Sequence, residues 1–340
     1  MLIEKRLTAQ LLAGAPARDP VAVVERLLAV QGQDGRGLRL AIRARSTGLT
    51  SADVDRALTE ERSLLITWLN RGTLHLVCRE DYAWLHALTT PRLFASNARR
   101  LAQEGVTPSL AERGVAVIER CLGEEGPLTR AQLGERIASA GVPTEGQALV
   151  HVLMLTGLRG LTVRGPVIDG EQAYVLVHDW LGDSEPVDRD RALAALARRY
   201  LTGHGPAGDR DFAKWAGLPL RDARAGLIAI ASALDVRADG LVDLAGRPAA
   251  APLPPPRLLG AFDPVLLGWT SRELLLGSNQ GIVTSNGLFR PFALVRGRAA
   301  ATWSLRAGEV ALEPFRRLPR KDVSALERDA KDVIRFLGVS

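Results

Sequence analysis

One order of segments repeats three times along the 340 residues, and that repetition restricts the fold more than any single motif. Each copy reads as a helix, a capped second helix, a third helix and a short extended pair. In the first copy, Asp19 is an N-cap with Pro20 at the first helical position of PVAVVERLLAV. Thr50 or Ser51 caps ADVDRALTEE, and Thr50 and Asp53 stand at capping-box spacing. LLITWL and GTLHLV then read as two strands of a wing around Asn70-Arg71-Gly72. The second copy opens with the amphipathic AERGVAVIERCLG. RAQLGERIASAG follows, with Thr129 and Gln132 as a capping box and Gly141 as the stop; then come EGQALVHVLMLTGL and the wing LTVRGPVIDGEQAYVLV. The third copy has RALAALARRYLTG, then GDRDFAKWAG capped by Asp209, LRDARAGLIAIASAL and a short wing, LVDLAG. This is the spacing of a winged helix-turn-helix in series.

The proline density of RPAAAPLPPPR, residues 247–257, predicts an extended linker. From 258 to 318, short apolar runs split by glycine turns predict a small β-barrel or β-rich domain, and VSALERDAKDVIRFLG a closing helix. The expected class is α+β: three tandem winged helix-turn-helix modules plus a C-terminal β-barrel. The predicted boundaries are 1–107, 108–187, 188–250 and 251–340.

Net charge is +6, and only Lys5, Lys214, Lys321 and Lys331 among 44 basic residues are lysines. An arginine-rich basic chain suits a polyanion, although GC-rich coding raises Arg, Ala, Gly and Leu together. No apolar run reaches the ~18 residues that span a bilayer. The start, MLIEKRLTAQLLAG, carries Glu4 and makes a poor signal peptide. A cytoplasmic, nucleoid-associated protein is the expectation. Cys78 and Cys121 sit in apolar contexts and read as buried free thiols. There is no CxxC or HExxH, so neither a metal nor an organic cofactor is expected.

The helices expected to read DNA are poorly equipped to do so. ADVDRALTEE carries Asp53, Asp55, Glu60 and Glu61, which repel phosphate; EGQALVHVLMLTGL is mostly apolar; LRDARAGLIAIASAL offers only Arg221 and Arg224. Sequence readout needs Arg, Asn or Gln on an exposed helix face. The modules therefore read as a scaffold.

The stretch VQGQD places Gln31 and Gln33 around one glycine and before Asp34. With LAIRARSTGL, TWLNRGTLHLV, FDPVLLG, NGLFRPFALVRGRAAATW and LERDAKDVIRFLG, it resembles the AlkZ/YcaQ-like bacterial DNA glycosylases nearly end to end. The resemblance implies winged helices curved into a C, a C-terminal barrel, and excision of N7-alkylated guanines, including bulky natural-product adducts or interstrand crosslinks. It implies that Gln31 and Gln33 match the glutamine–aliphatic–glutamine element of the AlkZ branch; Gly32 departs from the aliphatic. N7 alkylation makes guanine a cationic leaving group. Two amides can orient a water for its departure, one by accepting and one by donating a hydrogen bond.

Asp34 is either a stabiliser of the oxocarbenium charge, a base, or the cap of the helix that follows. Thr73 and His75 are supporting candidates, and His151 reads as core. Arg39, Arg43, Arg71, Arg290, Arg296 and Arg298 are candidates for contacting DNA, with Arg45 following on the same helix as Arg39 and Arg43 and Asn286 beside Arg290. Resemblance implies that the hairpin around Arg296-Gly297-Arg298 enters the minor groove, which suits arginine. No lysine lies near the motif in sequence, so a lyase reaction through a Schiff base is not expected. The expected partner is double-stranded DNA with alkylated guanine, bound by a monomer. The alternative is a non-catalytic winged-helix protein: a transcriptional regulator or an adduct-sequestering factor.

Overall fold

The computed structural model describes residues 1–183, 186–279, 281–284 and 287–339. It opens with α1 (Leu2–Ala9), α2 (Pro20–Leu27), the two-residue strand β1 (Val30–Gln31), α3 (Gly35–Arg43) and α4 (Ser51–Thr59). The hairpin β2 (Leu64–Leu69) and β3 (Thr73–Cys78) follows, then α5 (Tyr82–Thr89) and α6 (Leu93–Gln103). Next come α7 (Pro108–Glu125), α8 (Arg130–Ser139), α9 (Ala148–Leu158), β4 (Thr162–Ile168), β5 (Glu171–Leu176) and α10 (Val177–Leu181). A further set is α11 (Arg189–His204), α12 (Asp209–Ala216), α13 (Leu220–Ala229), β6 (Leu234–Val236) and β7 (Val242–Leu244). The chain finishes with β8 (Arg257–Leu259), α14 (Glu273–Leu276), β9 (Phe292–Val295), β10 (Arg298–Arg306), β11 (Glu309–Pro314) and α15 (Arg320–Leu337). The order of three helices and a hairpin thus recurs at α2–β3, α7–β5 and α11–β7. No helix among the described residues is long and apolar enough to cross a membrane.

The chain divides into two compact units, one made of Met1–Val54 with Asp190–Ser340, the other of Asp55–Arg189. In the second unit, β3, β2, β4 and β5 lie side by side in that order, all antiparallel. Its core is Ile118 and Leu122 of α7, Leu133 and Ile137 of α8, and Val152 and Leu153 of α9. Burial of each such side chain contributes roughly 1.5–3 kcal/mol. Nine of the eleven residues of α9 are buried, so this helix has no polar face to offer a base edge. The capping box of Thr129 and Gln132 forms as the spacing predicts.

In the first unit, α15 lays Leu326 and Val333 against Ala293, Val295, Ala301 and Trp303 of the β9–β10 pair. The sheet order is β11-β10-β9-β8. The expected barrel is not closed among the described residues: β11 and β8 are edges, and α15 covers the apolar face that closure would have covered. The linker of residues 247–256 has no regular secondary structure, as expected. A smaller correction concerns α12. Asp209 is its first residue, with Gly208 at the N-cap; Asp211 Oδ2 accepts the Gly208 N–H at 3.0 Å and so closes that turn. Tyr200, Phe212, Trp215, His204 and Trp269 form an aromatic core nearby, in which Tyr200 stacks on His204 and Phe212. Cys78 and Cys121 are buried and not joined in a disulfide.

Candidate active site

The glutamine motif lies where one helix has stopped and the next has not begun. α2 ends at Leu28, whose φ of 67° reverses the chain, and β1 then runs extended. Asp34 takes an extended conformation (φ −112°) and its Oδ1 accepts the Gly37 N–H, so the carboxylate is the N-cap of α3. The loop between holds both glutamines. Gln31 is buried and Gln33 exposed. Gln31 Nε2 donates to Gln33 Oε1 at 2.5 Å. Gln31 Oε1 is buried with no hydrogen-bond partner among the described residues. An unpaired buried carbonyl is costly, commonly about 1–3 kcal/mol. Such an atom marks a place where an outside donor is expected.

Two devices hold this loop. A Cβ on Gly37 would lie 2.4 Å from the Ala261 carbonyl oxygen, so the first turn of α3 crosses the 260–261 backbone with room for glycine alone. Beyond α3, Arg45 is buried and uses all five guanidinium N–H groups. Nε donates to the Gln10 carbonyl, Nη1 to the Ala41 carbonyl and Asp263 Oδ2, and Nη2 to Gln10 Oε1 and Asp263 Oδ1. Asp263 Oδ1 also accepts the Val265 N–H. The FDPVLLG segment thus clamps the end of the motif helix.

Arg43 is a correction to the expected DNA-contacting set. It is buried, with Nε on Asp332, Nη1 on Asp329 and the Leu258 carbonyl, and Nη2 on Asp329 side chain and carbonyl. Burial pulls its pKa down, but the hydrogen bonds and charges of Asp329 and Asp332 outweigh that and hold it above the ordinary value. No donor remains for a phosphate. Arg39, one turn earlier, is half-buried with Nη1 on the Gly35 carbonyl at 2.9 Å.

Arg71, Thr73 and His75 belong to the second unit. Thr67 faces His75, and Leu69 faces Thr73, across the β2–β3 ladder, so these four residues share one face of the hairpin. His75 Nδ1 lies 2.9 Å from the Thr73 carbonyl, which fixes the proton on Nδ1 of the neutral ring. Burial, reinforced by the charge of Arg71 and opposed by that hydrogen bond, lowers the His75 pKa to about 3. Thr67 Oγ1, Thr73 Oγ1 and both amide atoms of Asn70 are buried without a partner among the described residues. Thr67 and Asn70 went unnoticed as candidates, although a lone threonine within LLITWL was a visible signal. His151, expected in the core, is half-buried with Nδ1 2.8 Å from Asn97 Oδ1.

The β9–β10 hairpin returns to the first unit. Arg296 (φ 52°) and Gly297 (φ 75°) form its two-residue turn, the left-handed pair that a twisted hairpin requires. Arg296 Nη2 pairs with Asp322 at 3.1 Å. Arg298 and Arg290 are exposed. Asn286 lies outside the described residues. Among the described residues no three His, Cys, Asp or Glu side chains converge as a metal site.

Comparison with known proteins gives the arrangement its setting. The family model described as DNA glycosylase AlkZ-like matches residues 24–336. The interstrand DNA cross-link repair glycosylase of Streptomyces sahachiroi is 29% identical over 357 residues, spanning 96% of this chain and 93% of that protein. The solved structure of the Streptomyces sahachiroi DNA glycosylase AlkZ matches with a TM-score of 0.79 at 26% identity, over 100% of this chain and 96% of that one. The mixed helix and sheet architecture is therefore shared along the whole chain, and the protein class is that of a DNA-repair enzyme, a DNA glycosylase. The chain belongs to the AlkZ-like DNA glycosylase family.

Proposed function

We propose that this enzyme hydrolyses the N-glycosidic bond of cationic N7-alkylguanine in duplex DNA, and that Gln31 and Gln33 position the attacking water. The observation that carries the reading is the Gln31–Gln33 pair itself: one amide bonded to the other at 2.5 Å, with the buried Gln31 Oε1 unpaired. Gln31 Oε1 accepts a hydrogen bond from the water while the Gln33 NH2 donates one. Neither amide can take the water's proton. Preorganised dipoles then act on a bond already weakened by the charge on the base. Uncharged bases such as uracil are left in place. The Asp34 carboxylate, whose Oδ1 is bound to Gly37, adds negative charge beside the developing oxocarbenium ion. The neutral His75 and Thr73 support the hairpin, and Arg39, Arg71, Arg290, Arg296 and Arg298 contact the duplex. The product is an abasic site without strand cleavage.

The threefold order of helices and hairpins supports three winged-helix modules, over 1–107, 108–187 and 188–250, that scaffold a monomer on DNA. Two features weigh against the regulator reading: the buried α9 and the acidic residues of α4. A bulky adduct or an interstrand crosslink fits a site that works by water placement, and self-resistance against a genotoxic metabolite is one biological use of that activity.

The test is single-turnover base release from duplexes carrying N7-methylguanine or a bulky N7-guanine adduct. Gln33→Ala is expected to slow release by about 100- to 1,000-fold, the usual cost of one preorganised polar group. Asp34→Asn retains the cap and separates capping from charge. A rate equal to wild type makes Asp34 a cap alone. Tight binding of both duplexes with no release by the wild type would replace this reading with a sequestering protein.

A further inference from the structure

Behind the β9–β10 hairpin the first unit has a hollow of about 520 Å³, lined by Val295, Arg296, Arg298, Arg316, Arg317 and Asp322 among others. A second hollow of about 260 Å³ adjoins it, and Arg298 and Arg316 line both. A Cβ on Gly277, in the wall of the second, would lie 3.7 Å from Arg298 Nη1. Arg298, Arg316 and Arg317 are exposed, and among the described residues no guanidinium of the three has an ion-pair or hydrogen-bond partner. The one acid in the lining, Asp322, is engaged by Arg296. Some arginines elsewhere are held by carboxylates: Arg136 by Glu125, Arg159 by Glu112, Arg224 by Asp209. Three unneutralised guanidinium groups around one concavity repel each other until an anion arrives. Its floor, with Val295, Ala299, Ala300, Leu318 and Pro319, is apolar and suits the face of a sugar.

We infer that this double hollow holds the phosphodiester backbone of the DNA, with Arg316 and Arg317 joining Arg298 as phosphate contacts on the strand followed from the hairpin. The inference takes its partner from the DNA-glycosylase reading. It assigns work to two residues outside the β-hairpin, in the segment between β11 and α15. Arginine forks match phosphate oxygens in pairs, and such contacts fix register without reading sequence.

The experiment is binding of undamaged duplex by fluorescence anisotropy across 50–200 mM salt, kept separate from base release. The double variant Arg316→Ala/Arg317→Ala is expected to weaken binding by about tenfold or more at low salt and to make the log–log salt slope shallower by about 2, near 0.9 per phosphate lost. The double Arg→Lys variant restores most of the slope. Arg136→Ala, whose arginine is half-buried and paired with Glu125, leaves slope and affinity unchanged. A double-alanine variant with the wild-type Kd and slope would overturn the inference. So would tight pyrophosphate binding by the wild type alongside unaltered duplex binding by the variant, which assigns the hollows to a free anion. If no base is released from any lesion while the double variant still loses duplex affinity, this inference stands and the catalytic one falls.

Discussion

Arg43 and Arg45, near the end of α3, and Arg296 and Arg298, on the β9–β10 hairpin, place the same side chain in opposite circumstances. The first two are buried, and each uses every N–H it has on carboxylates, carbonyls or an amide of the protein. Arg296 keeps one partner and stays largely exposed, and Arg298 is exposed at the rim of two hollows. Arginine content therefore says little about nucleic-acid contact by itself. What separates a structural arginine from one that meets a ligand is whether the fold supplies a carboxylate at the depth where the guanidinium stops. A buried pair is costly to break singly because the remaining charge has lost both water and partner.

That contrast can be tested at several strengths. Arg45→Ala should cost about 3–5 kcal/mol in urea unfolding, since it strands Asp263 in the core. An unchanged midpoint would erase the distinction. Gly37→Ala should cost roughly 1–3 kcal/mol and disturb base release as well, because the added methyl meets the Ala261 carbonyl at the crossing that holds the motif loop. Stability should also respond to acid. Burial lowers the pKa of His75 and of His204 to about 3 from 6.5. Between those values the unfolded chain binds protons that the folded protein does not. Stability is therefore full above pH 6.5 and falls as pH drops toward 3, by roughly 1 kcal/mol per unit for each histidine. Unfolding curves at pH 7, 6 and 5 measure it, and His75→Gln should flatten the slope. Arg298→Ala, by contrast, should leave the unfolding midpoint within about 0.5 kcal/mol of wild type.

Local signals in the sequence were legible, and distant ones were not. The Asp19–Pro20 start, the Thr129–Gln132 box, the Asn70-Arg71-Gly72 turn and the Arg296-Gly297 turn all depend on neighbours within a few residues, and the structure forms each of them. Asp34 was legible as a cap for the same reason. Arg43 was misread because its partners, Asp329 and Asp332, lie 286 and 289 residues further on. Spacing four apart from Arg39 suggested a common face, but a helix face does not announce what it packs against. A closed barrel does not form among the described residues: strand-like runs and glycine turns are equally those of an open sheet, and α15 packs on its apolar face. In the candidate site, the family resemblance carried by VQGQD singled out Gln31 and Gln33. The 2.5 Å bond between them and the unpaired Gln31 carbonyl required coordinates.

The clamp of Arg45 on Asp263 also sets a clock. The two residues stand 218 positions apart in the chain. A ribosome adding about 5–20 residues per second needs roughly 10–40 s to travel from one to the other. Through that interval Gln31 and Gln33 already exist, but the segment that clamps their helix has not been made. The intervening 55–189 unit is continuous and needs nothing later in the chain to form its own core. A nascent chain therefore holds a complete 55–189 unit well before the segment that clamps the motif helix has been made.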